Sequence, residues 1–233
     1  MYPNAMRGFP PEFADILTPK GRRLKRGGDA PFFAASDLLD AKQSAGAFLL
    51  LEREMLGALK PLARAIPPET IANQTRNYQE RLPKTVRNLA ADIDGTRAKA
   101  ATLARSIGLD AMLASKSYFA FAEMLAGRRL DAKFGRQVLR YGVGDYAGPH
   151  TDHHPEEPRA KDGYFDLHLT FAGAGAKRQL LVYAQAGHFD RVADVAVSGG
   201  VTAYRLPFWH YTTPLEGKPD AARWVVLGTF LYA

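Results

Sequence analysis

Tyr164-Phe165-Asp166-Leu167-His168-Leu169-Thr170-Phe171 is the stretch that decides the fold. Apolar side chains at 165, 167, 169 and 171 alternate with Asp166, His168 and Thr170. A β-strand sends successive side chains to opposite faces, so a period of two fits a strand and not a helix. The same texture continues outward. Residues 137–141, 180–183, 192–197, 201–206 and 224–232 are short runs rich in β-branched, aromatic and aliphatic side chains. Gly173 and Gly175, Gly187, Gly199-Gly200 and the 217–220 turn separate them. Roughly seven short strands with no helix among them predict an antiparallel barrel or jelly roll over 136–233. The last strand is apolar on both faces, with Trp224, Val226 and Phe230 on one and Val225, Leu227 and Leu231 on the other. Such a strand needs cover on both sides.

That cover is expected from upstream. Residues 1–35 are rich in Pro, Gly and Arg and read as an extended arm anchored by Phe9, Phe13, Phe32 and Phe33. Ser36-Asp37 offers an N-cap to a helix over 38–66. Leu38, Ala41, Ala45, Phe48, Met55 and Leu59 form its apolar stripe, interrupted by Glu52, and Pro61 should end or kink it. A short helix is expected near 69–77. Residues 85–107, rich in Ala, Arg and Leu, read as a helix stopped by Gly108, and 109–126 as another ended by Gly127. The predicted class is α+β in one compact domain: arm 1–35, helical layer 36–135 packed on one sheet, and β core 136–233.

The chain has 233 residues, 46% hydrophobic and 24% charged, which is ordinary for a folded protein and argues against disorder. It has no Cys, which excludes disulfides, a thiolate nucleophile, iron–sulfur clusters and Cys-ligated zinc. The formal net charge is +7, carried by residues 1–135, with 21 Lys/Arg against 14 Asp/Glu; residues 136–233 balance at 10 against 10. The basic stretch 20–26 lacks the interleaved aromatics of a nucleic-acid platform, so nucleic acid is the less favoured partner. No apolar run approaches the ~20 residues of a membrane span, and residues 1–16 lack signal-peptide character; the cytoplasm is the expected compartment.

All six His lie between 150 and 210. In Gly148-Pro149-His150-Thr151-Asp152, an imidazole and a carboxylate stand two residues apart, on one face if the chain is extended. His210, within Trp209-His210-Tyr211-Thr212, can supply a third donor from a later strand. Two His and one carboxylate on one face of an octahedron leave three positions open, as in non-haem Fe(II) oxygenases. Arg223 follows at the start of the last strand. Its planar fork suits a carboxylate, and burial beside Trp224 and Val225 would be costly without a partner. An acid that chelates the metal at one end and meets Arg223 at the other resolves that cost, and 2-oxoglutarate has this shape.

The segment from Tyr141-Gly142-Val143-Gly144-Asp145-Tyr146 through His150-Thr151-Asp152, with His210 and Arg223, resembles the Fe(II)/2-oxoglutarate-dependent dioxygenase superfamily, in particular its prolyl-hydroxylase-like branch. The resemblance covers 136–233. It implies a double-stranded β-helix with iron at one mouth. It implies His150, Asp152 and His210 as iron ligands and catalytic residues, Arg223 as partner of the 2-oxoglutarate carboxylate, and Tyr141 and Tyr146 as cosubstrate-pocket residues. The cofactors would be Fe(II) and 2-oxoglutarate, with O2 consumed and succinate and CO2 released as a small-molecule or peptide substrate is hydroxylated. The interval from His210 to Arg223 is longer than the common pattern, and the 216–221 turn is expected to absorb it.

Other residues have plainer readings. His153 and His154 fit a loop or rim, His168 a hydrogen-bonded structural role, His188 a turn, Asp145 an Asx-type turn, and Phe208 and Trp209 packing. One of Tyr204 and Arg205 faces the barrel. Competing readings are a non-catalytic metal- or ligand-binding β-barrel, a cupin-type metalloenzyme without 2-oxoglutarate, and an oxygenase acting on nucleic acid. Helices outside the barrel offer a surface for a homodimer.

Overall fold

The computed structural model describes residues 6–25, 30–65, 85–152, 163–185 and 188–233. The strands are β1 (Phe32–Ala35), β2 (Lys60–Ala65), β3 (Thr85–Asp92), β4 (Leu130–Gly142), β5 (Tyr146–His150), β6 (Tyr164–Ala172), β7 (Ala176–Arg178), β8 (Leu180–Gln185), β9 (His188–Asp194), β10 (Val201–Leu206), β11 (Trp209–Thr212), β12 (Glu216–Gly217) and β13 (Ala222–Tyr232). The helices are α1 (Pro19–Arg22), α2 (Ala41–Glu54), α3 (Lys99–Ser106), α4 (Leu109–Ala114) and α5 (Lys116–Ala126).

One antiparallel sheet runs β1-β10-β6-β13-β4-β3-β5-β11-β8-β9, with β2 on β3. β3 is the seam. Its Leu89–Asp92 half pairs with β4, while Val86 and Arg87 pair with β5. One wall is therefore β1-β10-β6-β13-β4 and the other β5-β11-β8-β9, with a cavity of about 970 Å³ lined from both. The main apolar core lies on the outer side of the first wall. There Phe165, Leu167, Phe171, Trp224 and Phe230 pack with Phe13, Leu51, Met112 and Leu125. β13 is buried along almost its whole length, as its two apolar faces require.

The β half follows the sequence pattern closely; the first half departs from it. The helix expected over 38–66 is only α2, capped by Asp40 rather than Ser36-Asp37, with Asp40 Oδ1 accepting from Gln43 N at 2.9 Å. Residues 60–65 form edge strand β2, where Pro61 costs little because only one side is paired. The helix expected over 85–107 is strand β3 followed by α3. β3 has ladders to β2, β4 and β5, and that pairing outweighs a helix-prone composition. The segment 69–77 lies outside the described residues. The helix expected over 109–126 is α4 and α5, broken at Ser115, whose hydroxyl caps α5 by accepting from Tyr118 N. Gly127 closes α5 in the left-handed region, as expected.

The arm is more structured than an extended segment. It holds α1 and contributes β1 to the edge of the sheet beside β10. Phe9 and Phe13 are buried anchors, and Phe32 and Phe33 are half-buried. Glu52, which interrupts the stripe of α2, has a purpose there: its Oε1 accepts from Arg140 Nε at 2.6 Å and Trp224 Nε1 at 2.7 Å. It ties the helix to β4 and β13. No helix among the described residues is long and apolar enough to cross a membrane.

Candidate metal and anion site

β5 and β11 are paired so that His150 stands directly opposite His210. Their ring centroids are 4.3 Å apart. Each imidazole is oriented by the same local device: His150 Nδ1 meets the carbonyl of Gly148 at 2.6 Å, and His210 Nδ1 meets that of Phe208 at 2.9 Å. A carbonyl oxygen only accepts, so both Nδ1 atoms carry the proton. Both Nε2 atoms are thereby turned to the interior, the arrangement by which metal-binding imidazoles are fixed.

Asp152 closes the set. Its Oδ1 lies 3.3 Å from His150 Nε2 and its Oδ2 3.3 Å from His210 Nε2. It does not arrive there along an extended strand. β5 ends at His150, and Asp152 adopts φ 50, which turns its carboxylate back over the paired imidazoles. Tyr164 donates its hydroxyl to the Asp152 carbonyl and steadies this turn. Donor atoms of all three residues lie within 4.8 Å of one another and could hold a metal ion. The electrostatics say the same. Burial opposes the charged form of Asp152, but the His150 and His210 side chains outweigh it and hold the carboxyl well below its usual range. Burial likewise opposes protonation of His150, yet the Asp152 carboxylate raises its pKa overall. A proton on an imidazole is one cation that satisfies this cluster; with both Nε2 atoms bare, three acceptor atoms would face one point and a metal ion could take the proton's place.

Arg223 lines the same cavity. It is 2% exposed and sits over the Tyr141 ring at 5.4 Å. Its NH1 donates to Gln179 Oε1 at 2.8 Å and its NH2 approaches Thr170 Oγ1 at 3.5 Å, while Nε has no partner. Among the described residues no carboxylate lies within salt-bridge distance, Asp220 included. Burial lowers the guanidinium's pKa to about 10. Tyr141 is buried and lines the cavity between β3 and β13. Burial raises its pKa, partly offset by Arg223 and by hydrogen bonds to Asn88 and Thr212.

Five of the six site residues expected from the sequence thus share one cavity. Tyr146 does not: its hydroxyl meets Thr85 Oγ1 at 2.7 Å and its ring faces the Arg87 guanidinium, away from the cavity. His168, expected to be structural, lines the cavity with its Nε2 3.2 Å from Tyr204 Oη. Tyr204 is the inward member of its pair; Arg205 turns to Tyr232. Asp145 closes a turn from Gly142, but its side chain accepts from Gly142 N, three residues before it, and not from two residues on as the expected Asx-type turn would have it. His188 begins β9 rather than a turn, and His153 and His154 lie outside the described residues. The long His210–Arg223 interval is absorbed by β12, which pairs with β7, and by the Lys218–Ala221 turn. Gln179, Asn88, Asp166 and Tyr164 were not singled out from the sequence. Only Asp166 and Tyr164 carried a signal, namely their place on the polar face of the alternating stretch.

No protein-family model matches this sequence, and no curated protein sequence matches it. Solved structures do. A 2OG-Fe(II) oxygenase family oxidoreductase from Burkholderia pseudomallei superposes with a TM-score of 0.55 at 14% identity, covering 97% of this chain and 93% of that one. The non-haem alpha ketoglutarate dependent epimerase SnoN from nogalamycin biosynthesis gives 0.55 at 15% identity, covering 88% and 80%. The carbocyclase SnoK from the same biosynthesis gives 0.50 at 12%, covering 97% and 88%. Likeness at this identity establishes architecture: the chain has the double-stranded β-helix fold of the 2-oxoglutarate/Fe(II) oxygenase structures.

Proposed function

We propose that this protein is an Fe(II)- and 2-oxoglutarate-dependent oxygenase, with hydroxylation the reaction it most simply performs. One observation carries the reading: a two-imidazole, one-carboxylate donor set shares a cavity with a buried guanidinium that lacks a carboxylate partner. The donor set fits a ferrous ion with open positions, and the orphaned Nε of Arg223 fits an anion. When bound, iron with 2-oxoglutarate supplies oxidation of a substrate C–H bond, coupled to decarboxylation of the cosubstrate to succinate and CO2.

The chain's own share is binding, orientation and exclusion of water. His150 and His210 present Nε2 and Asp152 its carboxylate. Gln179 and Thr170 hold the fork of Arg223 toward the distal carboxylate of the cosubstrate. Tyr141, a protonated phenol at ordinary pH, stands under that guanidinium as a hydrogen-bond donor. Val225 and Leu227 on β13, with Leu139 on β4, line the space with apolar surface that strengthens the ion pair. A cupin-type enzyme without 2-oxoglutarate would have no use for the guanidinium.

Anaerobic addition of Fe(II) and 2-oxoglutarate tests this. The visible charge-transfer band of the chelate is expected with the native protein and is expected to be lost in Asp152→Ala and His210→Ala. Native-strength bands in both variants would overturn the ligand assignment. Arg223→Ala is expected to raise the 2-oxoglutarate needed for half-maximal band by about a hundredfold while leaving Fe(II) affinity largely intact. Equal 2-oxoglutarate binding by native and variant protein would remove Arg223 from the site.

A further inference from the structure

The wall beside the triad carries a carboxylate that the proposed chemistry does not use. Asp166 on β6 is 5% exposed and lines the same cavity as His150 and His210. Its Oδ1 accepts from Thr229 Oγ1 on β13 at 2.6 Å. Its Oδ2 lies 3.6 Å from His168 Nε2, beyond hydrogen-bond length. His168 Nε2 is nearer to Tyr204 Oη, at 3.2 Å. Among the described residues no Lys or Arg forms an ion pair with Asp166. Arg136, also on the cavity lining, is already held by Asp94 and by Asp110 at 2.8 Å. Among the described residues His168 is the one ion-pair neighbour of Asp166, and it stands too far to donate a hydrogen bond to it. A carboxylate buried this deeply is costly unless a cation meets it.

The surroundings suit a cation. Tyr204 pairs with Asp166 across β10 and β6. Its ring lies 5.0 Å from that of His168 and 5.1 Å from that of His210, so it spans from the carboxylate to the triad. Tyr164, two residues before Asp166 on the same face of β6, adds a second phenol to the lining. Aromatic faces attract cations and add to a carboxylate's charge. Along β13, Arg223 and Thr229 are six residues apart on one face, so the cavity offers a cationic station at one level and an anionic one at another.

We propose that Asp166, with the ring of Tyr204 beside it, binds a basic nitrogen of the substrate, so that the substrate class is an amine-bearing molecule whose reacting carbon lies over the triad. This rests on the oxygenase reading of the same cavity. The acid end would exclude carboxylate-terminated substrates and keep 2-oxoglutarate at the Arg223 end. The carboxylate would thus set both specificity and the direction in which the cavity is filled.

The probes are phenethylammonium and its neutral counterpart 2-phenylethanol, titrated by ligand-observed NMR into the full-length metal-free protein. Phenethylammonium is expected to bind at least about tenfold more tightly than the alcohol, and Asp166→Asn to bring that ratio close to one. Asp166→Ser serves the same purpose if the Asn variant does not fold. A native ratio near one, or a native ratio retained in a folded variant, would overturn the proposal. Its failure is separable from failure of the oxygenase reading. A chelate band with a ratio near one removes the amine site alone; a large ratio without the band removes the oxygenase alone.

Discussion

β13 is buried along nearly its whole length, yet its two faces are different chemical places. Outward, Trp224, Val226 and Phe230 join the apolar core beneath the helices. Inward, Arg223, Val225, Leu227 and Thr229 line the cavity. Trp224 and its neighbour Arg223 are almost equally hidden, at 0% and 2% exposed. The outward tryptophan nevertheless has its one polar atom satisfied by Glu52, while the inward arginine keeps an unpartnered Nε and no carboxylate. Burial on one face is stability; burial on the other is a cost that, on the proposed function, a ligand would offset. Low exposure alone does not separate the two, whereas the state of the polar atoms does.

The sharpest way to break this contrast is to substitute adjacent residues. Trp224→Ala should cost about 3–5 kcal/mol in denaturant unfolding, since it empties a core position and removes one of the two donors to Glu52. Arg223→Met should do the reverse in the absence of ligand. Burial brings the guanidinium's folded pKa down to about 10, below its value in the unfolded chain, so the unfolded chain binds the proton more tightly. The folded state therefore bears a penalty at every pH below about 10, on the order of 3 kcal/mol, which fades as the pH rises further. The variant should be up to about 3 kcal/mol more stable at pH 7, with the gap narrowing above pH 10, as urea unfolding at the two pH values would read. Saturating 2-oxoglutarate should stabilise the native protein and not the variant. An Arg223→Met protein less stable than native at pH 7 without ligand would make the guanidinium a structural ion and end the distinction between the faces.

Smaller effects sharpen the outer face. At Gly228 an added Cβ would lie 2.4 Å from Tyr118 Oη of α5. Gly228→Ala should cost about 2 kcal/mol by overpacking that seam, read as a lower melting temperature. Glu52→Gln keeps an acceptor for Trp224 and Arg140 but removes its charge, and should cost about 1 kcal/mol by the same measurement. Neither variant is expected to change the Fe(II)/2-oxoglutarate band predicted for the native protein.

How much of this was legible in the sequence follows the same division. β6, β10 and β13 announced themselves through alternation or two-faced apolarity because their side chains meet packed layers. β3 did not: Leu89-Ala90-Ala91 has helix-forming composition, and only its three partners make it a strand. The triad was legible because two of its members are two residues apart and few His remain to supply the third. The means by which Asp152 reaches the site was not, since a left-handed residue just past a strand leaves no mark in composition. Asn88 reaches the cavity through register, which is set by pairing between distant segments, and Gln179 meets Arg223 from the one-residue link between β7 and β8. Register also decides Tyr146: one residue along β5, Ala147 takes the position on the cavity lining.

The departure of Asp152 from strand geometry has a consequence for timing. The two imidazoles are fixed to paired strands, so their separation is built once the barrel closes. The carboxylate stands past the end of β5, on a residue whose backbone is bent back and moored by Tyr164. The site is two donors on a frame and a third on a joint. An incoming ion would be caught by the pair and enclosed by the joint, and a departing one would wait for the joint to open. The rate of exchange would then belong to one bent residue rather than to the strength of three bonds.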